Sequence, residues 1–474
     1  MDTAWRADAE TEAAAPARLF TMQRLANRRD GPPERTQRLA ALKALAETLR
    51  ANKDAIAQAI SADFGNRAVQ ETLLAELAPA LAAIRNTSKH LTRWMRPERR
   101  HVSLSGQPGR AWVEYQPLGC VGIIAPWNYP LLLSVGPLVD ALGAGNRIIL
   151  KPSEMTPHFS ALLARLLADA IDPAQATVAT GGPAVAQALC ALPLDHLLFT
   201  GSARVGREVM RAAAENLTPV TLELGGKSPA ILCRDYDVAA AAKTIAIGKF
   251  FNAGQTCIAP DYVLAPDEHL EAFAAAVLAQ ARAMYPTVAG NPDYTTIISD
   301  HHHERLHALL QEAEAGGARL LRLNDAYAER RLGPTVVLNP PLDGALMQEE
   351  IFGPILPVIG YRQLTEAINF VNLRPRPLAL YPFTNDPAKL STVLGRTVSG
   401  GVSVNSVLMH CIQDDLPFGG VGPSGMGAYH GRDGFRRLSH ARAVYKAGRF
   451  SGFAMLAPPY GWKMRLALKL MLSR

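Results

Sequence analysis

Between Cys120 and Leu224 the chain alternates short apolar runs with stretches of helical periodicity, and few folds accommodate that rhythm. Val121–Ile124, Ile148–Leu150, Leu197–Phe199 and Val220–Leu222 read as buried strands. Helical stretches near 130–143, 158–170 and 203–215 separate them. Strands joined through helices lie parallel, because the connection must cross the sheet. The pattern therefore predicts an α/β unit, a doubly wound Rossmann-like sheet of the kind that binds dinucleotides. Ligands of such sheets gather beyond the carboxyl ends of the strands.

The flanking sequence differs. In the first hundred residues Leu39, Leu42, Leu45 and Leu49 recur at helical spacing, Ile56 and Ile60 continue the stripe, and Asp63–Asn66 breaks it. Ser103 to Gln116 is polar and carries the alternating Ala111–Tyr115, which reads as a strand or hairpin outside the next unit. A second α/β stretch runs from Gly225–Gly226 to about Gly400, and glycine is dense from Gly400 to Gly434. At 474 residues, with 48% hydrophobic and 19% charged side chains, more than one domain with a large core is expected. The net charge of +7 is scattered, without the basic runs of nucleic-acid-binding arms, so no nucleic-acid partner is expected.

The five cysteines, at 120, 190, 233, 257 and 411, include no Cys-x-x-Cys pair. Reduced thiols in a cytoplasmic protein are the simplest expectation. Met1 to Phe20 holds acids and small residues, unlike a secretory signal, and no run approaches the roughly 20 apolar residues that span a bilayer. The tail, Gly461 to Arg474, interleaves Leu466, Leu468, Leu470, Met471 and Leu472 with Lys463, Arg465 and Lys469. It suits either peripheral contact with a membrane interface or a terminal helix packed on protein.

Two patterns mislead. His303-Glu304-Arg305-Leu306-His307 matches the zinc-protease motif, with Asp300 as a helix N-cap, but its polar surroundings describe a solvated helix face, so no metal is expected. Gly420 to Gly425 matches a nucleotide fingerprint, yet Pro417 and Pro423 flank it and no strand leads in, so a structural loop is expected.

Five segments carry candidate chemistry. Pro126 to Pro130 follows the first strand, where the Asn128 amide can donate to a developing oxyanion. Lys151 and Glu154 follow the second strand and can reach a ribose, or form a surface ion pair. Phe199 to Gly206 runs from strand through a glycine turn into a helix. Gly201, Ser202 and Gly206 there suit a pyrophosphate, or tight strand–helix packing. Glu223 ends an apolar strand, where burial would raise its pKa toward a general base's range. Cys257 closes a loop of small residues; a cysteine there is either a nucleophile or a small buried hydrophobe.

Leu222–Pro229 and Asn252–Cys257 closely resemble the glutamate and cysteine signatures of the aldehyde dehydrogenase superfamily. Pro126–Pro130, Lys151–Glu154, Phe199–Gly206, Glu349–Pro354 and Pro417–Gly422 resemble its other motifs, in order along nearly the whole chain. Ala259–Tyr262 and Gly425–Gly431 look like its class-3-like branch, and Ala62–Arg67 with Trp94–Arg100 resemble the coniferyl aldehyde dehydrogenases. Cys120 departs from the pattern, standing where valine is usual.

The resemblance implies oxidation of an aldehyde to an acid, with Cys257 as nucleophile, Asn128 as oxyanion donor and Glu223 as base. It implies NAD as cofactor, with NADP also accepted, held by Trp127, Lys151, Glu154, Gly201, Ser202, Gly206, Glu350 and Phe352. An aromatic or phenylpropenyl aldehyde is the first expectation, a medium- or long-chain aliphatic aldehyde the second. It further implies a cofactor domain (1–101 and 119–224), a catalytic domain (225–429), a small β oligomerisation arm (102–118 and 430–450), a tail (451–474) and a homodimer. A zinc hydrolase, a noncatalytic relative and a coenzyme A acceptor are the competing readings.

Overall fold

A computed structural model of the chain describes residues 14–103, 106–323, 330–449, 453 and 457–472. Most of the N-terminal segment read as lacking a secretory signal, and the last two residues of the tail, lie outside them. Helices α1 (Ala15–Asp30), α2 (Arg35–Ala51) and α3 (Lys53–Phe64) come first. A capping box between Glu34 and Gln37 starts α2, whose Leu42, Leu45 and Leu49 are buried. The predicted break falls at Gly65, the left-handed C-cap of α3. One turn of helix, α4 (Val69–Thr72), then passes through a π-helical turn, Leu73–Leu77, into α5 (Ala78–Trp94). That turn leaves Leu74 exposed and buries Glu76.

Strands β1 (Glu98–Arg100) and β2 (Arg110–Pro117) follow. The doubly wound unit comprises β3 (Cys120–Ile124), α6 (Leu132–Ala144), β4 (Arg147–Lys151), α7 (Pro157–Ala170), β5 (Ala176–Val178), α8 (Pro183–Cys190), β6 (His196–Gly201), α9 (Ala203–Ala214) and β7 (Val220–Leu224). The sequence reading missed β5 and α8, which are too short to establish a period of their own. Next come β8 (Pro229–Leu232), α10 (Val238–Phe250), β9 (Tyr262–Pro266), α11 (Leu270–Met284), α12 (Asp300–Ala315), β10 (Arg319–Arg322) and β11 (Thr335–Leu338). The chain continues through α13 (Ala345–Gln348), β12 (Ile355–Tyr361), α14 (Leu364–Asn372), β13 (Ala379–Phe383), α15 (Pro387–Arg396), β14 (Gly401–Val402) and β15 (Gly425–Met426). It ends with α16 (Gly431–Arg437), β16 (Ser439–Lys446) and α17 (Trp462–Leu472).

These strands form three sheets. The first has the order β15-β7-β6-β3-β4-β5, parallel except for the antiparallel edge strand β15. Its chain runs outward from β3 through β4 to β5, then returns to β6 and β7 on the other side. The topological switch point therefore lies between β3 and β6, and a crevice opens beyond their carboxyl ends. The second sheet has the order β10-β11-β12-β9-β8-β13-β14, parallel apart from its β10 edge. The third is antiparallel, β1-β2-β16, with Val113 opposite Ala443, and most of its side chains are at least partly exposed. Gly420–Gly425 is no nucleotide loop: it turns the chain into β15, which pairs Gly425 with Glu223.

Candidate active site

A cavity of about 480 Å³ opens at the switch point, between the first two sheets. Trp127 and Asn128 reach it from the turn after β3, Gly201 and Ser202 from the end of β6, and Glu223 from β7. Cys257, Glu350 and Phe352 come to it from loops of the second α/β stretch. Lys151, Glu154 and Gly206 are not among its lining residues. Lys151 ends β4 and ion-pairs with Glu154. Gly206 packs α9 closely onto β7: a Cβ there would stand 2.7 Å from Leu224 Cδ2.

The loop that carries the thiol is built from unusual backbone. Asn252 (φ 52°), Ala253 (φ 49°) and Gly254 (φ 74°) are all left-handed, and a Cβ at Gly254 would overlap the Gly353 carbonyl. Side chains hold the loop in place. Gln255 Nε2 donates to Asn252 O and Thr296 O, each at 3.1 Å, and its Oε1 accepts from Ile298 N at 2.9 Å. Asn252 Nδ2 donates to Gln255 O and to Asn128 O, both at 3.1 Å. The two loops are thereby tied to each other. Asn128 is buried, and one of its amide N–H groups donates to Gln255 O at 3.1 Å; an amide carries two.

The electrostatics favour neutral groups in the closed site. Cys257 is partly exposed to the cavity, and burial pushes its thiol far above the usual range, with the Glu350, Cys411 and Glu223 side chains adding to the shift. Glu223 is buried, neither carboxyl oxygen has a hydrogen-bond partner, and burial raises its pKa well above the carboxylate norm against a lowering by Arg437. Burial and neighbouring Asp261 raise Glu350 to about 8, opposed by the Gly226 N–H, Lys227 and Arg305. Cys120, by contrast, is fully buried in the first sheet, and packing explains it.

Sequence reasoning missed part of the lining. His302 and Arg305 face the cavity from α12, whose polar composition alone predicts a solvated helix. His302 packs on Trp127, with ring centroids 5.3 Å apart, and Arg305 donates to the Glu350 and Ile351 carbonyls. Ser299, not Asp300, caps this helix, its side chain accepting from His302 N. No cluster of side chains suited to a metal occurs among the described residues. Leu74 and Ala75 of the π-helical turn, and Met409, Cys411 and Ile412 of the glycine-rich region, also line the cavity. None belongs to a periodic pattern that a sequence could display.

The thiol, an amide and two carboxyl groups thus face one largely apolar cavity. The N-terminus of α9, with Ser202 as its N-cap, opens at the end of β6, and Glu350 Oε1 lies buried without a partner.

Residues 25–444 match the aldehyde dehydrogenase family. The chain is 51% identical over 443 residues to a probable coniferyl aldehyde dehydrogenase of Pseudomonas aeruginosa, covering 94% of this chain and 93% of that one. It is 39% identical over 409 residues to the dimeric NADP-preferring aldehyde dehydrogenase of Rattus norvegicus, covering 86% and 89%. Among solved structures, substrate-bound Staphylococcus aureus AldH superposes with a TM-score of 0.91 at 36% identity, covering 96% of this chain and 99% of that one. A Mycobacterium tuberculosis aldehyde dehydrogenase complexed with NAD+ gives 0.82 at 30% identity, covering 92% and 90%. The chain belongs to the aldehyde dehydrogenase family, and is an oxidoreductase acting on the aldehyde group.

Proposed function

We propose that this chain oxidises an aromatic, phenylpropenyl-type aldehyde to its carboxylic acid with NAD, through a thioester on Cys257. The observation that carries this reading is the convergence of Cys257, Asn128 and a Glu223 with both oxygens unpartnered on one largely apolar cavity. Cys257 releases its proton to solvent water, and Sγ bonds to the carbonyl carbon as the C=O π pair moves onto the oxygen. The Asn128 amide and the Cys257 backbone N–H hold the resulting oxyanion; one such donor is worth roughly 10²–10³ in rate. When bound, the nicotinamide supplies the hydride acceptor. The thiohemiacetal on Cys257 thereby becomes a thioester, and Glu223 takes a proton from the water that cleaves it. The acid leaves and the thiol is restored.

For the cofactor, Ser202 and the α9 N-terminus suit the pyrophosphate and Glu350 a ribose, with Trp127 and Phe352, 5.4 Å apart edge to face, near the nicotinamide. Lys151 and Glu154 suit the adenine ribose. The Glu154 carboxylate favours free hydroxyls over a 2′-phosphate, hence NAD over NADP. The aromatic substrate rests on the relatives' coniferyl aldehyde dehydrogenase names and on the Trp127, Phe251, Phe418 and Tyr429 rings around the cavity. A medium- or long-chain aliphatic aldehyde is the second reading, favoured by Leu132, Leu133, Met409 and Ile412 in the same lining. We also propose a cytoplasmic homodimer, with a cofactor domain, a catalytic domain and the β1-β2-β16 sheet as oligomerisation arm. No helix among the described residues is long and apolar enough to cross a membrane. Trp462, Leu466, Leu468 and Leu472, with Lys463, Arg465 and Lys469, instead suit peripheral contact with a membrane surface.

The test is a panel of aldehydes followed at the NADH and NADPH absorbance. Phenylpropenals should give the highest kcat/KM, and NAD should exceed NADP. Cys257→Ser should abolish oxidation while fluorescence titration still detects cofactor binding. A clear preference for aliphatic aldehydes would replace the substrate reading, and an active serine variant would remove the assigned nucleophile.

A further inference from the structure

Behind the site, out of contact with solvent, stands a guanidinium that no step above uses. The Arg67 side chain is fully buried. Its Nη1 donates to Glu76 Oε1 at 2.7 Å and to the Asn128 carbonyl at 3.3 Å, and its Nε lies 3.6 Å from Glu71 Oε1. Each carboxylate then reaches a different side of the site. Glu76 Oε2 accepts from Leu131 N (2.7 Å) and Leu132 N (3.2 Å), where the Asn128 turn enters α6. Glu71 Oε2 accepts from Thr295 Oγ1 at 3.1 Å, and the next residue's carbonyl, Thr296 O, accepts from Gln255 Nε2 of the thiol loop at 3.1 Å. The guanidinium also lies 5.0 Å from the centre of the Tyr129 ring, and that residue's hydroxyl meets Thr256 Oγ1 at 2.6 Å, one position before the thiol.

We propose that Arg67 is a positioning residue: through Glu76, Glu71 and the Asn128 carbonyl it fixes the separation between the oxyanion donor at Asn128 and the sulfur at Cys257. The proposal rests on the roles assigned above to those two residues. One nitrogen of the guanidinium, Nη1, serves both the Glu76 carboxylate and the Asn128 carbonyl, while Nε stands beside Glu71 without a hydrogen bond; an ammonium is a point charge on a flexible stem and does not keep that placement. The π-helical turn gives the arrangement its geometry. By widening the helix between Glu71 and Glu76 it lets both carboxylates reach one arginine while Leu74 and Ala75 stay on the cavity wall. Misplacing reacting groups by about 1 Å costs on the order of 10²-fold in rate, even when the change lies away from the chemistry.

The experiment compares R67K, R67M and E76D with wild type and C257S in the full chain. Readouts are kcat, KM for the aldehyde, cofactor affinity by fluorescence titration, far-UV circular dichroism, and the rate at which iodoacetamide alkylates Cys257. Positioning predicts that R67K lowers kcat on the order of 10²-fold and slows alkylation, with KM, cofactor affinity and dichroism unchanged. E76D, which keeps the charges and withdraws one carboxylate by a methylene, should show the same split should the Arg67 variants fail to fold. R67K at wild-type kcat would overturn the proposal, and the inactivity of C257S would show that the site reading still stands. Loss of kcat in step with cofactor affinity and dichroism would also overturn it, as general destabilisation. An active C257S would remove the reading beneath it.

Discussion

Glu223, Glu350 and Cys257 face one another across a site whose burial holds all three in their protonated forms. A group whose pKa is raised becomes anionic only above that raised value, and both the attacking sulfur and the water-activating carboxyl must be anionic. Activity should therefore rise with pH. The rates of kcat/KM and of Cys257 alkylation are expected to climb toward alkaline pH, while the ionisation of Glu350 at about 8 holds alkylation back, because its charge raises the Cys257 pKa. Among its neighbours, Glu350 does most to raise the Cys257 pKa. Glu350→Gln should accordingly move the alkylation profile of the cofactor-free enzyme to lower pH; an unmoved profile would refute this electrostatic coupling. The sequence displays Glu223 and Cys257 because one ends an apolar strand and the other a loop of small residues. It conceals Arg67, Glu71 and Glu76, whose charges resemble an ordinary solvated helix until the fold buries them.

The loop from Phe251 to Cys257 owes its shape to three consecutive left-handed residues, and two of these carry a Cβ. Such conformations cost on the order of 1–3 kcal/mol each and persist only where surroundings enforce them. Gly254→Ala adds a Cβ against the Gly353 carbonyl, and should lower stability by about 1–3 kcal/mol and kcat with it. Denaturant midpoints and steady-state rates measure both; a variant as stable and active as wild type would show that the loop tolerates another path. Boundaries at this scale were readable where the chemistry is local. Gly65 ends its helix where the break was expected, whereas the π-helical turn leaves no periodic trace in sequence. The cavity-facing side of α12 was missed for a related reason. Its polar composition does not reveal that His302 and Arg305 turn inward against Trp127 and the Glu350 loop.

The doubly wound sheet was legible because β3, β4, β6 and β7 are buried on both faces and read as compact apolar runs. The association of β2 with β16, more than three hundred residues on, was expected from the family resemblance alone; its register was not legible, because sequence carries no register between distant strands. That sheet is the proposed oligomerisation arm. Sedimentation velocity should give twice the chain mass, and charged substitutions at Val113 and Val444 should shift it toward the monomer. A monomeric wild type would refute the assignment. Removal of residues 451–474 should leave the turnover of small aldehydes intact while abolishing sedimentation with anionic vesicles.

The whole reading depends on a covalent bond between substrate carbon and a single sulfur. Incubating Glu223→Gln with aldehyde and NAD, then digesting at acid pH and mapping by mass spectrometry, looks for that bond. The account predicts that the peptide containing Cys257 gains the acyl group of the substrate, because the step that removes it is slowed. Acylation of another residue, or continued turnover with Cys257 unmodified throughout, would contradict it.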